Sequence, residues 1–308
     1  MKQISRREFG AIVAAGVVGG RLVPSAFGQE APAVTAAEIV ERIRANVGAA
    51  WKAETVDTIK AGDPGTVVTG VVTTAMATME VLRRAVGSGA NLVVSGEPTF
   101  FGRGDARNPP ARPAAAGATP PPSRPDPVYD AKNRFIDANR LVVFRLSDHW
   151  RLRSPDPFLQ GLADAFGWSS YGVPGDASRY DIPATTLEEL ASDLKRRLGA
   201  RGGMRVVGDP RSRVRRVALL PGSTPIAAAL RAVPGADVIV AGEVREWESV
   251  EYARDVVASG QPKGLILLGR VVSEEPGMAV CARWLGGLVP EVPVRHVSAG
   301  DPYWRPAP

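Results

Sequence analysis

Short runs of apolar and β-branched residues alternate along this chain with longer stretches in which apolar positions recur every three or four residues. Residues 67–74, 91–95 and 141–146 are such runs in the first half, and 214–220, 237–241 and 264–269 in the second. A strand that is apolar at successive positions is buried on both faces, as in parallel sheets covered by helices. Between the runs, 76–86, 127–139, 224–233 and 246–259 carry the helical period. Each half therefore predicts a βαβαβ unit. Two further helices are predicted at 156–167 and 186–199. The second carries Leu187, Leu190, Leu194 and Leu198 on one stripe, which reads as core.

The two halves are also related in detail. Residues 62–97 align without a gap on 208–243, at a constant offset of 146, with eleven of 36 pairs identical. The identities include Gly62-Asp63-Pro64 with Gly208-Asp209-Pro210, Gly89-Ala90 with Gly235-Ala236, and Gly96-Glu97 with Gly242-Glu243. The expected fold class is α/β: two related lobes from an internal repeat, facing each other across a pseudo-twofold axis. The expected division is a first lobe in two parts, 29–101 and 128–203, the second part including the connecting helices, and a second lobe at 204–308. Residues 102–127 hold eight prolines and almost no large apolar side chain, the composition of an insert that cannot order itself.

Composition and charge narrow the function. The formal charge of the 308 residues is +6, but Lys2, Arg6, Arg7 and Arg21 against Glu8 account for half of it. With no basic cluster interleaved with aromatics elsewhere, nucleic acid is not expected as a partner. Residues 1–28 read Ser5-Arg6-Arg7-Glu8-Phe9, then an apolar run at 11–20, then Pro24, Ala26 and Gly28, and resemble a twin-arginine signal peptide. A spanning helix needs about 20 apolar residues, roughly twice what precedes Arg21. Cleavage near Gly28, no stable membrane anchor afterwards, and a periplasmic or secreted location follow as expectations. Cys281 is the only cysteine, so disulfides within the chain and thiolate metal clusters are excluded.

Ligands of open α/β sheets collect outside the carboxyl ends of the strands, where successive loops converge. Four such ends carry acids: Gly96-Glu97-Pro98, Ser147-Asp148-His149-Trp150, Gly242-Glu243-Val244-Arg245-Glu246, and Gly269-Arg270 leading to Ser273-Glu274-Glu275. Carboxylates crowded into one cleft repel one another unless a cation joins them. A divalent metal (Zn, Mn, Fe or Mg) held by Glu97, Asp148, His149 and Glu274 is one solution. Arg245 and Arg270, in an ion-pair network without metal, are the other. His296, on a late strand pattern, reads as structural.

At these residues the chain resembles the Nif-three-like family of dinuclear-metal proteins, also called GTP cyclohydrolase I type 2-like. The resemblance runs from Val56 through Gly62-Asp63-Pro64 to the stretch Gly89 to Phe101, and again through Val206 to Pro210, Val214 to Ala218, Gly235 to Val238 and Gly242 to Val244. It implies two α/β lobes, a metal pair in the cleft between them and a homo-oligomer, often a ring. The family's His-His-Pro motif stands here as Gly96-Glu97-Pro98, its His-Thr-Asn-Leu-Asp stretch falls near residues 147–153, and its Gly-His-x-x-Ser-Glu pattern is Gly269-Arg270-Val271-Val272-Ser273-Glu274. Arginine does not ligate metal. The surviving ligands suit one metal more readily than two.

Two functions are therefore expected to compete. In the first, a metal-dependent hydrolase acts on a small-molecule substrate, with Glu243 or Glu246 as base and Arg245 or Arg270 holding an anionic group. In the second, a non-catalytic binding or assembly protein has a degraded metal site closed by ion pairs. No P-loop, no GxGxxG after a strand and no GxSxG elbow supports a nucleotide or serine-hydrolase reading.

Overall fold

The computed structural model describes residues 33–306 except 103, 106–124, 201 and 305. The expected signal peptide and most of the expected insert lie outside the described residues. The chain runs α1 (Ala36–Asn46), β1 (Ile59–Ala61), β2 (Val71–Thr74), α2 (Met79–Gly87), β3 (Leu92–Ser95), α3 (Pro127–Ala138), β4 (Val142–Arg145), α4 (Asp148–Arg151) and α5 (Pro157–Ala165). It continues with β5 (Gly172–Val173), β6 (Asp176–Thr186), α6 (Leu187–Leu198), β7 (Arg205–Val207), β8 (Arg213–Ser223), α7 (Ile226–Ala232) and β9 (Val238–Glu243). After a π-helical turn at Glu246–Val250 come α8 (Glu251–Ala258), β10 (Gly264–Leu267), α9 (Arg270–Leu288) and β11 (Val294–His296).

The strands form two sheets, β1-β4-β3-β2-β11 and β5-β6-β8-β9-β10-β7. In the first, β4, β3, β2 and β11 are parallel and β1 is an antiparallel edge. In the second, β8, β9 and β10 are parallel, with β7 antiparallel on one side and the β5-β6 hairpin antiparallel on the other. The repeat is thus visible strand by strand. An offset of 146 places β1 on β7, β2 within β8 and β3 within β9. The repeat reaches further back than the aligned segment, with the offset widened to 151. Thr35 and Thr186 each begin a helix with a capping box closed by Glu38 and Glu189, so α1 and α6 are counterparts fixed by the same local chemistry.

Alternation along the central strands explains their unbroken apolar sequences. Leu92 and Val94 face α1 and α9, while Val93 faces α2 and α3. Val238 and Val240 face α5 and α6, while Ile239 and Ala241 face α7 and α8. Both faces of each sheet are covered, so most strand positions are apolar. The predicted leucine stripe is core: Leu187, Leu190 and Leu194 are buried and Leu198 packs at its edge. Between the sheets α5 crosses α9 at glycines. A Cβ on Gly161 would meet the Pro276 carbonyl carbon at 2.5 Å, and one on Gly277 would meet Phe158 Cα at 2.8 Å. The two lobes are joined by this close crossing within one compact unit. Among the described residues no helix is long and apolar enough to cross a membrane.

Candidate functional site: an arginine between two equivalent glutamates

The carboxyl ends of β3, β4, β9 and β10 open into one cleft of about 970 Å³, lined by residues of both lobes. Glu97 enters it on a tightly held turn. Its own N–H donates to the Ala75 carbonyl, Ser95 Oγ donates to its carbonyl, and two residues on Lys132 Nζ donates to the Thr99 carbonyl at 2.5 Å. Burial pushes that lysine down to about 8, against the pull of Asp105. Glu243, the repeat counterpart of Glu97, ends β9. Arg270 opens α9 and reaches both: its Nη2 is 2.9 Å from Glu97 Oε1 and its Nη1 is 3.1 Å from Glu243 Oε1. One guanidinium therefore joins the same position of the two lobes. Its planar fork suits two carboxylates at once.

Glu274, one turn along α9, is fully buried beneath this pair and receives an N–H from Arg151 at 2.5 Å. The site leaves no room for more: a Cβ on Gly222 would lie 2.4 Å from Glu274 Oε1. Burial drives the Glu274 carboxyl well above the usual range, the neighbouring Glu97 pushes it the same way, and Arg151 and Arg270 oppose them. Arg270 shows the complementary effect. Burial opposes its charge, but Glu97, Glu274 and Glu243 together hold it above its ordinary value. Glu274 therefore holds its proton more tightly than a free glutamate, beside a second carboxylate and a permanent cation.

The other expected ligands are used elsewhere. His149 is buried; its Nδ1 meets Asp57 Oδ2 at 2.8 Å and its Nε2 accepts the Lys52 N–H at 2.9 Å. An Nε2 that accepts carries no proton, so Nδ1–H is the donor to Asp57. Trp51 stacks on the ring with centroids 3.9 Å apart. Asp148 lines the cleft, with Oδ2 held by the Thr55 hydroxyl and the Val56 N–H. Glu246 lines it too, paired at its exposed rim with Arg205. Arg245 pairs with Glu248 on the same turn and does not line the cleft. The structure thus brings Glu97, Glu274, Glu243 and Arg270 together and turns His149 away.

This donor set does not fit a divalent metal. Both His149 nitrogens are already bonded, Arg270 occupies the space between the two glutamates, and a guanidinium repels a second cation. Among the described residues no three His, Cys, Asp or Glu side chains are grouped so that they could hold a metal ion. Two residues missed from the sequence matter here. Asp57 accepts the N–H groups of Ser147, Asp148 and His149 as well as the His149 ring. Arg151 supplies the cation that meets Glu274. Arg151 stands one residue past the Asp148-His149-Trp150 motif, so extending that motif would have found it; Asp57 carries no comparable signal.

Residues 173–291 match the Duf34/NIF3 (NGG1p interacting factor 3) family. The match covers most of the second lobe, with β8, β9, β10, Arg270 and Glu274. Solved structures of similar fold extend over nearly the whole chain. A Staphylococcus aureus hypothetical protein, SA1388, is 17% identical with a TM-score of 0.63, over 88% of this chain and 99% of its own. A Bacillus cereus protein related to NIF3 is 15% identical with a TM-score of 0.63, over 89% and 99%. The protein ybgI, described as of unknown function, is 21% identical with a TM-score of 0.64, over 88% and 100%. At such identities the likeness is one of fold. No curated protein matches the chain.

Proposed function

We propose that this chain is a NIF3-like binding protein that holds a small polar molecule in the cleft between its lobes, with Arg270 supplying the positive charge for which a metal was expected. The observation that carries this reading is the Arg270 guanidinium shared between Glu97 and Glu243. The cleft offers Arg151, Arg205 and Arg270 as donors and Asp148, Glu243 and Glu246 as acceptors, a balance suited to a solute with both donor and acceptor groups. The resemblance of residues 1–28 to a twin-arginine leader supports export.

The metal-dependent hydrolase is the competing outcome, and one experiment separates them. Elemental analysis of protein exported by its own leader is expected to find less than stoichiometric Zn, Mn, Fe or Mg. The melting temperature is expected to be indifferent to chelator and to added Mn or Zn. Stoichiometric metal that Glu97→Ala removes would overturn the binding reading. An Arg270→His variant that gains metal would identify the arginine as the group that excludes it.

A further inference from the structure

The cleft between the lobes is balanced in charge. Arg270 lies between Glu97 and Glu243, Arg205 is paired with Glu246, and Arg151 with Glu274. An ionic ligand therefore meets no surplus of the opposite sign. Pairing still leaves hydrogen-bonding capacity, because a guanidinium carries five N–H groups and a carboxylate about four acceptor sites. Neutral hydroxyls, which both donate and accept, can use the two kinds of group together.

Two aromatic residues line the same cleft and stay largely in solvent: Phe101 is 60% exposed and Tyr303 is 62% exposed. Both are held in place. Phe101 has a φ of +68°, which a bulky side chain adopts only under strain. The Gly102 N–H donates to the Phe100 carbonyl at 2.8 Å, closing a γ-turn on Phe101, and Asp105 Oδ1 accepts the Phe100 N–H at 3.0 Å. Lys132 Nζ stands 4.9 Å from the centre of the Phe101 ring. Asp301 accepts the N–H groups of Gly202, Gly203 and Tyr303, which seats the tyrosine ring on Gly203, where a Cβ would come within 3.0 Å of it. A strained turn that keeps its ring in solvent does not stabilise the fold, and such strain collects at ligand clamps. Flat apolar faces beside groups that donate and accept match the two aspects of a sugar ring, an apolar C–H face and an edge of hydroxyls. The volume, about 970 Å³, is at the upper end for small-molecule sites and has room for more than one such ring. Resting on the reading of this cleft as a binding site, we infer that its ligand is a short neutral saccharide, stacked on Phe101 and Tyr303 with its hydroxyls on the paired arginines and acids.

The test titrates the full exported chain by calorimetry with cellotriose, maltotriose and triacetylchitotriose, and with adenosine and glutamine as polar solutes that are not saccharides. Binding of at least one of the three saccharides is expected. Phe101→Ala should weaken it about ten-fold, the effect of losing one aromatic contact, and Phe101→Tyr should keep it. Phe101→Gly should weaken it as much while the melting temperature holds or rises, because glycine adopts a positive φ freely. A melting temperature that falls together with binding would mark the ring as structural and overturn the inference. Trp247→Ala, which removes an exposed ring outside the cleft, should leave the affinity unchanged. The inference also fails if no saccharide binds, or if binding is indifferent to both Phe101→Ala and Tyr303→Ala. Adenosine or glutamine binding without saccharide binding would overturn it and leave the cleft reading standing. Stoichiometric metal in the same preparation would overturn that reading, and this inference with it.

Discussion

The third parallel strand of each lobe ends in a polar turn leading to a helix, and the two turns have opposite fates. After β4 the chain reads Ser147-Asp148-His149, and the histidine faces inward to Asp57 and Trp51. After β10 it reads Gly269-Arg270, and the arginine faces outward into the cleft between Glu97 and Glu243. The first turn has become an anchor and the second a bridge. The lesson is that a titratable residue at a strand end is committed by its neighbours: a saturated carboxylate behind it draws it into the core, whereas two acids in front draw it into the cleft.

Breaking the anchor should have the largest effect. Asp57 is buried and accepts four hydrogen bonds, three from backbone N–H groups and one from the His149 ring, at 2.7 to 3.0 Å. Asp57→Ala would orphan all four donors, and a cost of about 3–5 kcal/mol is expected. Urea denaturation measures it. A loss below 1 kcal/mol would mean that the turn after β4 is held by something other than this carboxylate.

Removing the bridge comes next, and its effect should depend on pH. The raised Glu274 means that the folded state keeps a proton which the unfolded state releases. Its contribution is therefore fully present below the ordinary glutamate range and is lost as pH rises through the raised value. One such proton gives at most about 1.4 kcal/mol per pH unit. Arg270 opposes that rise, so Arg270→Ala should lift Glu274 further and carry the loss to higher pH. A cost of about 1 kcal/mol at pH 5, growing by a few tenths at pH 8 and by about 1 kcal/mol above pH 9, is expected. Thermal melts across that range are the measurement. A cost that does not grow with pH would separate Arg270 from Glu274.

How much of this was legible in the sequence follows from the same contrast. The repeat, the buried parallel strands and the four acid-bearing strand ends could be read because each leaves a local signature: an offset, an apolar run, a Gly-Glu pair. The long α9 could not, because Pro276 and Gly277 interrupt its pattern and because it is buried nearly all round, with Ser273, Glu274 and Glu275 among its inward residues. Its glycine serves the crossing with α5, a requirement set by another part of the chain. The site was half legible for a similar reason. Glu97, Glu243, Glu274 and Arg270 stand at or just past strand ends, which is how the sequence gathers them. The direction of His149 depended on Asp57, 92 residues away. The second sheet's β5-β6 hairpin and antiparallel flank likewise lay in residues 172–186, which carry no clear alternation.

The smallest effect should come from the outer half of the bridge. Glu97 and Glu243 are repeat counterparts and share one arginine, yet the side chain of Glu97 is 6% exposed and that of Glu243 is 48% exposed. Water screens the second pair, and ordering two long side chains offsets much of what remains. Glu243→Gln should therefore cost no more than about 1 kcal/mol, and most of that should vanish in 0.5 M salt, where the screening length falls to a few ångströms. The buried Glu97 pair should keep its contribution in the same salt. A double-mutant cycle of Arg270→Ala with Glu243→Gln, repeated with Glu97→Gln, measures both couplings. If the Glu243 coupling equalled that of Glu97 and resisted salt, the cleft would be drier than its exposure indicates, and the bridge would close it as a latch with two equal halves.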